Sequence, residues 1–282
     1  MGRFINPFTD YGFKFLFGRE VEKELLIDFL NDLLVGEHVI TDIQFLNSEQ
    51  QPEVKTERGL IYDIYCVTDT GERIIVEMQN RSQINFKDRA LFYLSKAIVS
   101  QGVAGSGWMF DIKAVYGVFF MNFLLDGEEP KLRTDVILSD RDTGRLFSDK
   151  LRQIFIALPV FEKDEEQCET DFDRWIYVLK NMNLFDMSPF KEKEAYFRRL
   201  LDVANVNALS PKERATYDEN LKIYRDWKAT MEYAVEEAET KGKAEGERLA
   251  TLRNARNMKK AGVALSLVAE CTGLSLEIIQ SL

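Results

Sequence analysis

The chain has 282 residues, of which 45% are hydrophobic and 30% are charged, a composition typical of a folded globular protein and not of a disordered one. Its net charge of −10 argues against binding nucleic acid by general electrostatic attraction. The single histidine excludes a histidine-rich metal site, and the three cysteines are too far apart in sequence for a zinc knuckle. A metal ion would therefore be held by carboxylates and carbonyls, the ligands of Mg²⁺ or Mn²⁺.

The sequence carries no pattern typical of a membrane or secreted protein. Its longest apolar stretch, over 114–125, has about a dozen residues, whereas a membrane-spanning helix needs about 20. The first ten residues lack the apolar run of a signal peptide. We therefore expect a cytoplasmic protein with reduced cysteines and no membrane partner. With one histidine and no GxSxG motif, we also set aside the serine hydrolases.

The first part of the chain has the pattern of mixed helices and strands. In chain order, the predicted elements are a helix over 20–34, strands over 39–46, 60–67 and 73–79, a helix over 85–101, and strands over 113–123, 132–139 and 152–158. The turn signal TDTG joins the strands over 60–67 and 73–79, so these two should form a hairpin. This order predicts an α/β fold with a mixed sheet.

After Pro159 the periodicity becomes helical. The predicted helices cover 170–182, 190–207, 211–240 and 248–260, followed by a closing pair over 264–271 and 275–282. Gly242 and Gly246 lie in the charged run KGKAEGE, and each weakens a helix by about 1 kcal/mol relative to alanine, so we expect a hinge or linker there. We therefore predict a domain over 1–160, a helical extension over 161–240, and a basic linker with a helical hairpin over 241–282.

The predicted hairpin carries the residues that point to chemistry. Asp63 is expected in its first strand, whereas Glu77 and Gln79 share one face of the second. A tight turn over 69–71 would bring Asp63 opposite the end of the second strand. Asp63, Glu77 and the Met78 carbonyl would then suit a hard divalent cation with positions left for water and a phosphate oxygen. The alternative is that these acids lie on the solvated face of a half-buried sheet.

A series of motifs runs in order along nearly the whole chain. It comprises NPFTDYGFKFLFG, KELLIDFLNDLL, YDIYCVTDTGERIIVEMQN, FKDRALFYLSKAI, LPVFEKDEEQCETDFDRWIYVLKN, KGKAEGE and GVALSLVAECTGLSLEII. Together with the order helix, three strands, helix, strand, this series resembles the bacterial recombination-promoting nucleases. These proteins are a transposase family of the PD-(D/E)XK nuclease superfamily.

The resemblance implies a restriction-endonuclease-like α/β core with a mixed central sheet, followed by an α-helical C-terminal region. It also implies an endonuclease that uses Mg²⁺ or Mn²⁺ to hydrolyse DNA phosphodiester bonds, with water as the nucleophile. Asp63 and Glu77 would be catalytic metal ligands, and Gln79 takes the place of the superfamily's lysine, which orients or activates the water. Glutamine supplies no positive charge but can orient water by hydrogen bonding. Gln79 and the net charge keep open an alternative, a catalytically weak or inactive nuclease-fold module that binds DNA or protein.

Five further residues have two interpretations each. Asp10 and Lys14, four residues apart, would either border the site or form an ion pair on a helix surface. Arg89 and Tyr93 share a helix face and would either contact phosphate or, respectively, face solvent and pack in the core. Glu24 would be either the acidic residue that many superfamily members carry on their first helix or a solvated charge.

The closing helical pair has the outline of a helix-turn-helix, but its second helix carries no lysine or arginine, which favours packing or oligomerisation over reading DNA bases. Its apolar stripe is too small to form a core alone and comprises Val263, Leu267, Val268, Leu274, Ile278 and Ile279. We therefore expect a homo-oligomer formed through the C-terminal helices, with the basic segment over 241–260 adding phosphate contacts to DNA.

Overall fold

The computed structural model describes residues 3–37, 39–50, 60–105, 107, 109–185, 190 and 194–282. The chain forms two compact units, Met1–Leu221 and Lys222–Leu282. The three domains expected from the sequence, over 1–160, 161–240 and 241–282, stay a prediction. None of the helices in the described ranges is long and apolar enough to span a membrane.

The first unit holds all eight strands found in the described ranges. They are β1 (Ile43–Phe45), β2 (Glu49–Gln50), β3 (Leu60–Ile61), β4 (Ile64–Thr68), β5 (Arg73–Gln79), β6 (Val115–Met121), β7 (Arg133–Ser139) and β8 (Leu146–Ala157). The longer helices of the chain are α1 (Asp10–Phe17), α2 (Lys23–Leu33), α3 (Phe86–Val99), α4 (Asp171–Asn181), α5 (Glu194–Ala204), α6 (Pro211–Lys260), α7 (Leu265–Thr272) and α8 (Leu276–Ser281). Short 3₁₀ turns cover Glu20–Glu22, Leu158–Val160, Met182–Leu184 and Val206–Ala208.

Six of these strands form one mixed sheet in the order β1-β4-β5-β6-β8-β7, while β2 and β3 pair separately. β5, β6 and β8 run parallel, and the remaining neighbours in the sheet are antiparallel. A parallel pair needs a crossover connection, and α3 provides it between β5 and β6. The predicted mixed sheet and α/β class are confirmed.

Helices cover both faces of the sheet, as buried parallel strands require. Along β5, Ile74 and Val76 belong to the core that α1, α2, α4 and α5 complete. Ile75 belongs to a second core on the opposite face, where α3 contributes Leu94. The alternation along β5 therefore directs Glu77 to the α3 side, with Lys14 of α1 on the other side of the sheet's end.

Several element boundaries differ from the prediction. β1 begins at Ile43 and not at residue 39, because both backbone groups of Ile40 bond to the side chain of Asn31. The strand expected over 60–67 is divided into β3 and β4 by a bend that contains Asp63. β8 starts at Leu146, earlier than expected, because its first residues pair with the end of β7. Of the helix expected over 190–207, residue 190 is not helical, 191–193 lie outside the described residues, and α5 ends at Ala204.

Of the two expectations for Gly242 and Gly246, the hinge is wrong, because α6 is continuous through both glycines, whereas the linker stays a prediction. Apart from the neighbouring backbone of α6 itself, nothing lies within 4 Å of a Cβ built at either position, so neither glycine serves a close contact with another element. Their penalty of about 1 kcal/mol each is offset by the surrounding alanine, glutamate, lysine and arginine and by the cooperativity of a long helix.

The closing hairpin of α7 and α8 is confirmed, with Gly273 in the left-handed conformation that ends α7. Val268 and Ile279 are buried against Ala255 of α6, so part of the apolar stripe packs on its own chain and is not exposed as expected. Lys259 adds hydrogen bonds from its ammonium to two carbonyls at the end of α8. The homo-oligomer stays a prediction, now resting on the exposed remainder of the stripe.

Candidate active site

Asp63 and Glu77 meet where β4 begins and β5 ends. Ile64 pairs with Val76 in the antiparallel register, which places Asp63 opposite Glu77. The backbone N–H of Asp63 donates to Glu77 Oε1 at 3.1 Å, and the N–H of Met78 donates to Asp63 Oδ2 at 2.9 Å. Each carboxylate is therefore held by backbone next to the other. The expected placement of Asp63 in a strand is wrong, since it lies in the bend before β4.

The hairpin turn sets this register. Gly71 has a φ of +96°, a conformation that favours glycine, and its N–H donates to the Thr68 carbonyl at 3.0 Å. The N–H of Thr68 in turn donates to the Glu72 carbonyl at 2.9 Å. The turn expected over 69–71 is confirmed, and with it the convergence of Asp63 on the end of the second strand.

The side of β5 on which the Met78 carbonyl lies follows from the hydrogen bond of the Met78 N–H. In an antiparallel pair the N–H and the C=O of one residue point to the same side of the strand. The N–H of Met78 is directed at Asp63, so its carbonyl lies along the same edge of β5. Beyond Ile64 no further β4–β5 pairing exists in the described part of the chain, which leaves this edge open at Asp63.

The two carboxylates are buried together. The side chain of Glu77 is 2% exposed and that of Asp63 is 15% exposed. Burial and the negative charge of Asp63 raise the pKa of Glu77 to about 8. Burial also raises the pKa of Asp63, although Lys14 and the Met78 N–H oppose that shift. Holding both groups ionised is unfavourable without added positive charge at this point.

Lys14 reaches the pair from α1. Its ammonium lies 2.7 Å from Asp10 Oδ1 and 3.3 Å from Asp63 Oδ1, so it forms the helix-surface ion pair and also borders the site. The start of α1 is fixed by Thr9, whose hydroxyl accepts from the Gly12 N–H at 2.9 Å. A Cβ at Gly12 would lie 2.2 Å from a backbone oxygen, so this turn requires glycine.

Arg89 reaches the pair from α3. One guanidinium nitrogen lies 3.6 Å from Glu77 Oε2 and another lies 3.5 Å from Gln79 Oε1. Its Nε donates to the Tyr93 hydroxyl at 2.9 Å, and the guanidinium also stacks over that ring. The amide of Gln79 donates to Glu77 Oε2 at 3.0 Å. The acidic pair therefore has a cationic side chain on each side of the sheet.

Residues 7–234 match the family model described as PD-(D/E)XK nuclease family transposase. The chain belongs to this family. Comparisons with curated proteins and with solved structures gave no match. The matched range includes the complete six-stranded sheet, the hairpin with Asp63 and Glu77, and the helices that carry Lys14 and Arg89. The family and fold class expected from the sequence are confirmed, and a nuclease-type function follows from membership.

PD-(D/E)XK nucleases typically use divalent metal ions, and the donor chemistry of this transposase-family site fits one. The oxygens of Asp63 and Glu77 and the Met78 carbonyl are hard ligands of the kind that Mg²⁺ and Mn²⁺ prefer. No group of three or more His, Cys, Asp and Glu side chains suited to a metal occurs in the described ranges. A cation here would thus rest on two carboxylates, one backbone oxygen, and oxygens from water or substrate.

Glu24 does not join this site. It pairs with Arg199 of α5, which also contacts Glu22 at 3.0 Å. Asn80, which the sequence analysis did not single out, lies directly after Gln79 and donates to the Phe8 carbonyl at 2.6 Å. It thereby ties the end of β5 to the segment that starts α1. A polar residue directly after a buried parallel strand is the signal that would have drawn attention to it.

Proposed function

We propose that this chain is a divalent-metal-dependent DNA endonuclease that hydrolyses phosphodiester bonds at the Asp63–Glu77 pair. The observation that carries the proposal is the two hydrogen bonds by which the N–H groups of Asp63 and Met78 hold the buried carboxylates of Glu77 and Asp63 side by side. Buried acids are costly, and two of them held in a fixed geometry at the end of β5 are typical of a functional site.

Asp63, Glu77 and the Met78 carbonyl would hold the cation, Mg²⁺ or Mn²⁺. When bound, such a cation lowers the pKa of a coordinated water and offsets the negative charge that develops on phosphorus. Hydrolysis would form one P–O bond, to the oxygen of a water molecule, and break another, which would leave one phosphate end and one hydroxyl end. Gln79, whose amide is fixed by Glu77 and Arg89, would orient the water by hydrogen bonding.

Lys14 and Arg89 supply the positive charge that glutamine does not. Both lie within 4 Å of the acidic pair and keep part of their side chains exposed. A phosphate group entering between them would find one cation from α1 and one from α3. The local charge of the site thus differs from the net charge of −10 of the whole chain.

The test uses the purified full-length protein with closed circular plasmid and circular single-stranded DNA, in Mg²⁺, Mn²⁺ or chelator. We expect cleavage only when metal is present. Because circular substrates have no ends for an exonuclease, any cleavage of them is endonuclease activity. Asp63→Asn and Glu77→Gln should lower the rate by at least about 100-fold. The matched controls, Asp142→Asn and Glu129→Gln at exposed positions, should leave it unchanged. Cleavage in chelator, or equal rates in all four variants, contradicts the proposal.

A second candidate function has one observation in its favour. The ion pairs of Lys14 with Asp63 and of Arg89 with Glu77 already balance the two carboxylates. A chain in which these pairs are permanent would be a nuclease-fold module that binds DNA without hydrolysis. Binding of DNA without metal-stimulated cleavage, together with no measurable binding of Mn²⁺, would favour this module over the endonuclease.

A further inference from the structure

A groove of about 850 Å³ lies between β3 and the first turns of α3, lined by residues 60–61, 83–85, 88–89 and 92–93. We call it the α3 groove. One of its lining residues, Arg89, contacts Glu77 of the acidic pair and also donates to the hydroxyl of Tyr93. The α3 groove therefore starts at the candidate active site and leads away from it along α3.

Apolar and aromatic side chains in the α3 groove are unusually exposed. Ile84 is 100% exposed, Ile61 is 62% exposed and Phe92 is 43% exposed. Tyr93, whose hydroxyl accepts from Arg89, is only 8% exposed and packs in the core on this face of the sheet, so Phe92 is the exposed aromatic ring of the lining. Exposed aliphatic and aromatic surface in a concave site is typical of a groove that binds a ligand with apolar surface.

The charges and amides of the α3 groove also favour such a ligand. Its charged lining residues are Arg89 and Asp88, which balance each other, so the groove is not suited to a row of phosphates. Gln83 and Asn85 add amide groups that can donate and accept hydrogen bonds. Flat aromatic contacts combined with amide groups recognise nucleobases that are not paired.

We infer that the α3 groove holds unpaired nucleobases of the strand whose phosphodiester lies at Asp63 and Glu77, so that the substrate is single-stranded at the scissile bond. This inference rests on the proposed nuclease function, and it adds the substrate class. An intact duplex presents phosphates and sugars along its outer surface and keeps its base faces stacked. Phe92 and Ile84 would have no contact to make with such a duplex, whereas an unpaired base would stack on Phe92.

The experiment measures DNA binding by the full-length protein with fluorescently labelled oligonucleotides in chelator, so that binding does not depend on cleavage. One labelled strand is presented alone, as a blunt duplex, and as a duplex with a single-stranded gap. We expect tighter binding to the single strand and to the gapped DNA than to the blunt duplex. Phe92→Ala should weaken single-strand binding by roughly 5- to 100-fold, the loss expected for one base–aromatic stack, and should change duplex binding by less than about twofold.

Two further variants separate this effect from a loss of folding. Leu91→Ala is the matched control, because Leu91 is 46% exposed on the same helix and does not line the groove. It should bind like the wild type. Ile84→Ser removes a fully exposed side chain and so leaves the core intact, yet it should weaken single-strand binding several-fold.

The outcomes distinguish the two proposals. Equal or tighter binding to the blunt duplex, or equal effects of Phe92→Ala and Leu91→Ala, overturns the groove assignment and leaves the endonuclease proposal standing. Single-strand binding that depends on Phe92 and Ile84, in a protein that cuts no DNA with metal present, supports the groove and overturns the endonuclease.

Discussion

The end of β5 and the start of α4 each bury an acidic side chain, and the two are held in opposite ways. Asp173 lies in a capping box with Thr170 and pairs with Lys163 at 2.8 Å. Burial alone raises the pKa of Asp173, but Lys163 and Thr170 more than offset it, so the pKa lies below its ordinary value. At Glu77, burial and Asp63 raise the pKa to about 8. The first acid stabilises the fold, whereas the second is kept at a cost that a function would explain.

The largest expected effect separates these two acids directly. Glu77→Gln should lower metal-dependent cleavage by at least about 100-fold and leave stability unchanged or raised, because it removes repulsion from Asp63. Asp173→Asn should leave cleavage unchanged and lower the free energy of unfolding by about 1 kcal/mol, since it weakens a helix cap. Cleavage assays and urea denaturation measure both. Loss of cleavage activity in Asp173→Asn without loss of stability would contradict a purely structural role for Asp173.

The next largest effect concerns Gln79, which bonds to Glu77. Gln79→Leu removes the polar contact and should lower the cleavage rate by roughly 10- to 100-fold. Gln79→Lys keeps a hydrogen-bond donor and should stay within a few-fold of the wild type. Initial rates at saturating DNA measure the difference. If the leucine and lysine variants cut equally fast, Gln79 takes no part in orienting water.

A smaller effect on cleavage is expected from replacing Lys14, with Lys163 as the matched control. Lys14 contacts Asp63, and Lys163 contacts Asp173. Lys14→Met should lower cleavage roughly tenfold, because a positive charge next to the scissile phosphate is lost. Lys163→Met should leave cleavage intact and lower stability by about 1 kcal/mol or less, since the lysine is partly exposed. A normal rate in the Lys14 variant would restrict Lys14 to its ion pair with Asp10.

The smallest effect is the pH dependence of stability without metal. Between the ordinary Glu77 pKa of 4.5 and its folded value of about 8, the folded protein holds a proton that the unfolded chain has released. Stability should therefore fall as the pH rises through this range. Asp173 has the opposite sign, because its stabilisation is present above its ordinary pKa and lost as the pH falls through the lower folded value.

Urea denaturation in chelator at pH 5 and pH 8 measures this dependence. The wild type should lose more stability than Glu77→Gln over that interval, and Mg²⁺ should reduce the difference. Identical pH profiles for the two proteins would show that Glu77 carries no raised pKa.

Much of the site was predictable because it rests on local rules. The alternation along β5 and the turn TDTG place Asp63 opposite Glu77 without knowledge of the rest of the fold. The bend at Asp63 was not predictable, because Tyr62 and Asp63 stand in an apolar, strand-like run. The Tyr62 hydroxyl donates to the Tyr93 carbonyl of α3 at 3.2 Å, a tertiary contact next to the bend that the local sequence does not reveal.

The contacts of Lys14 and Arg89 with the acidic pair likewise could not be predicted from local sequence patterns. The spacing of Asp10 and Lys14 predicts their ion pair, but the second contact of Lys14 depends on how α1 packs beside the sheet. Arg89 likewise reaches Glu77 only because α3 crosses over the face to which that residue points. The low helix propensity of Gly242 and Gly246 predicted a hinge that is absent, because a long cooperative helix tolerates two glycines.

The most direct test of the central claim is a calorimetric titration of Mn²⁺ into the full-length wild type and into the Asp63→Asn, Glu77→Gln and Asp173→Asn variants. We expect a binding event in the wild type and in Asp173→Asn that is lost in both Asp63→Asn and Glu77→Gln. Equal binding in all four proteins, or no binding in the wild type, would contradict the assignment of the Asp63–Glu77 pair as a metal site.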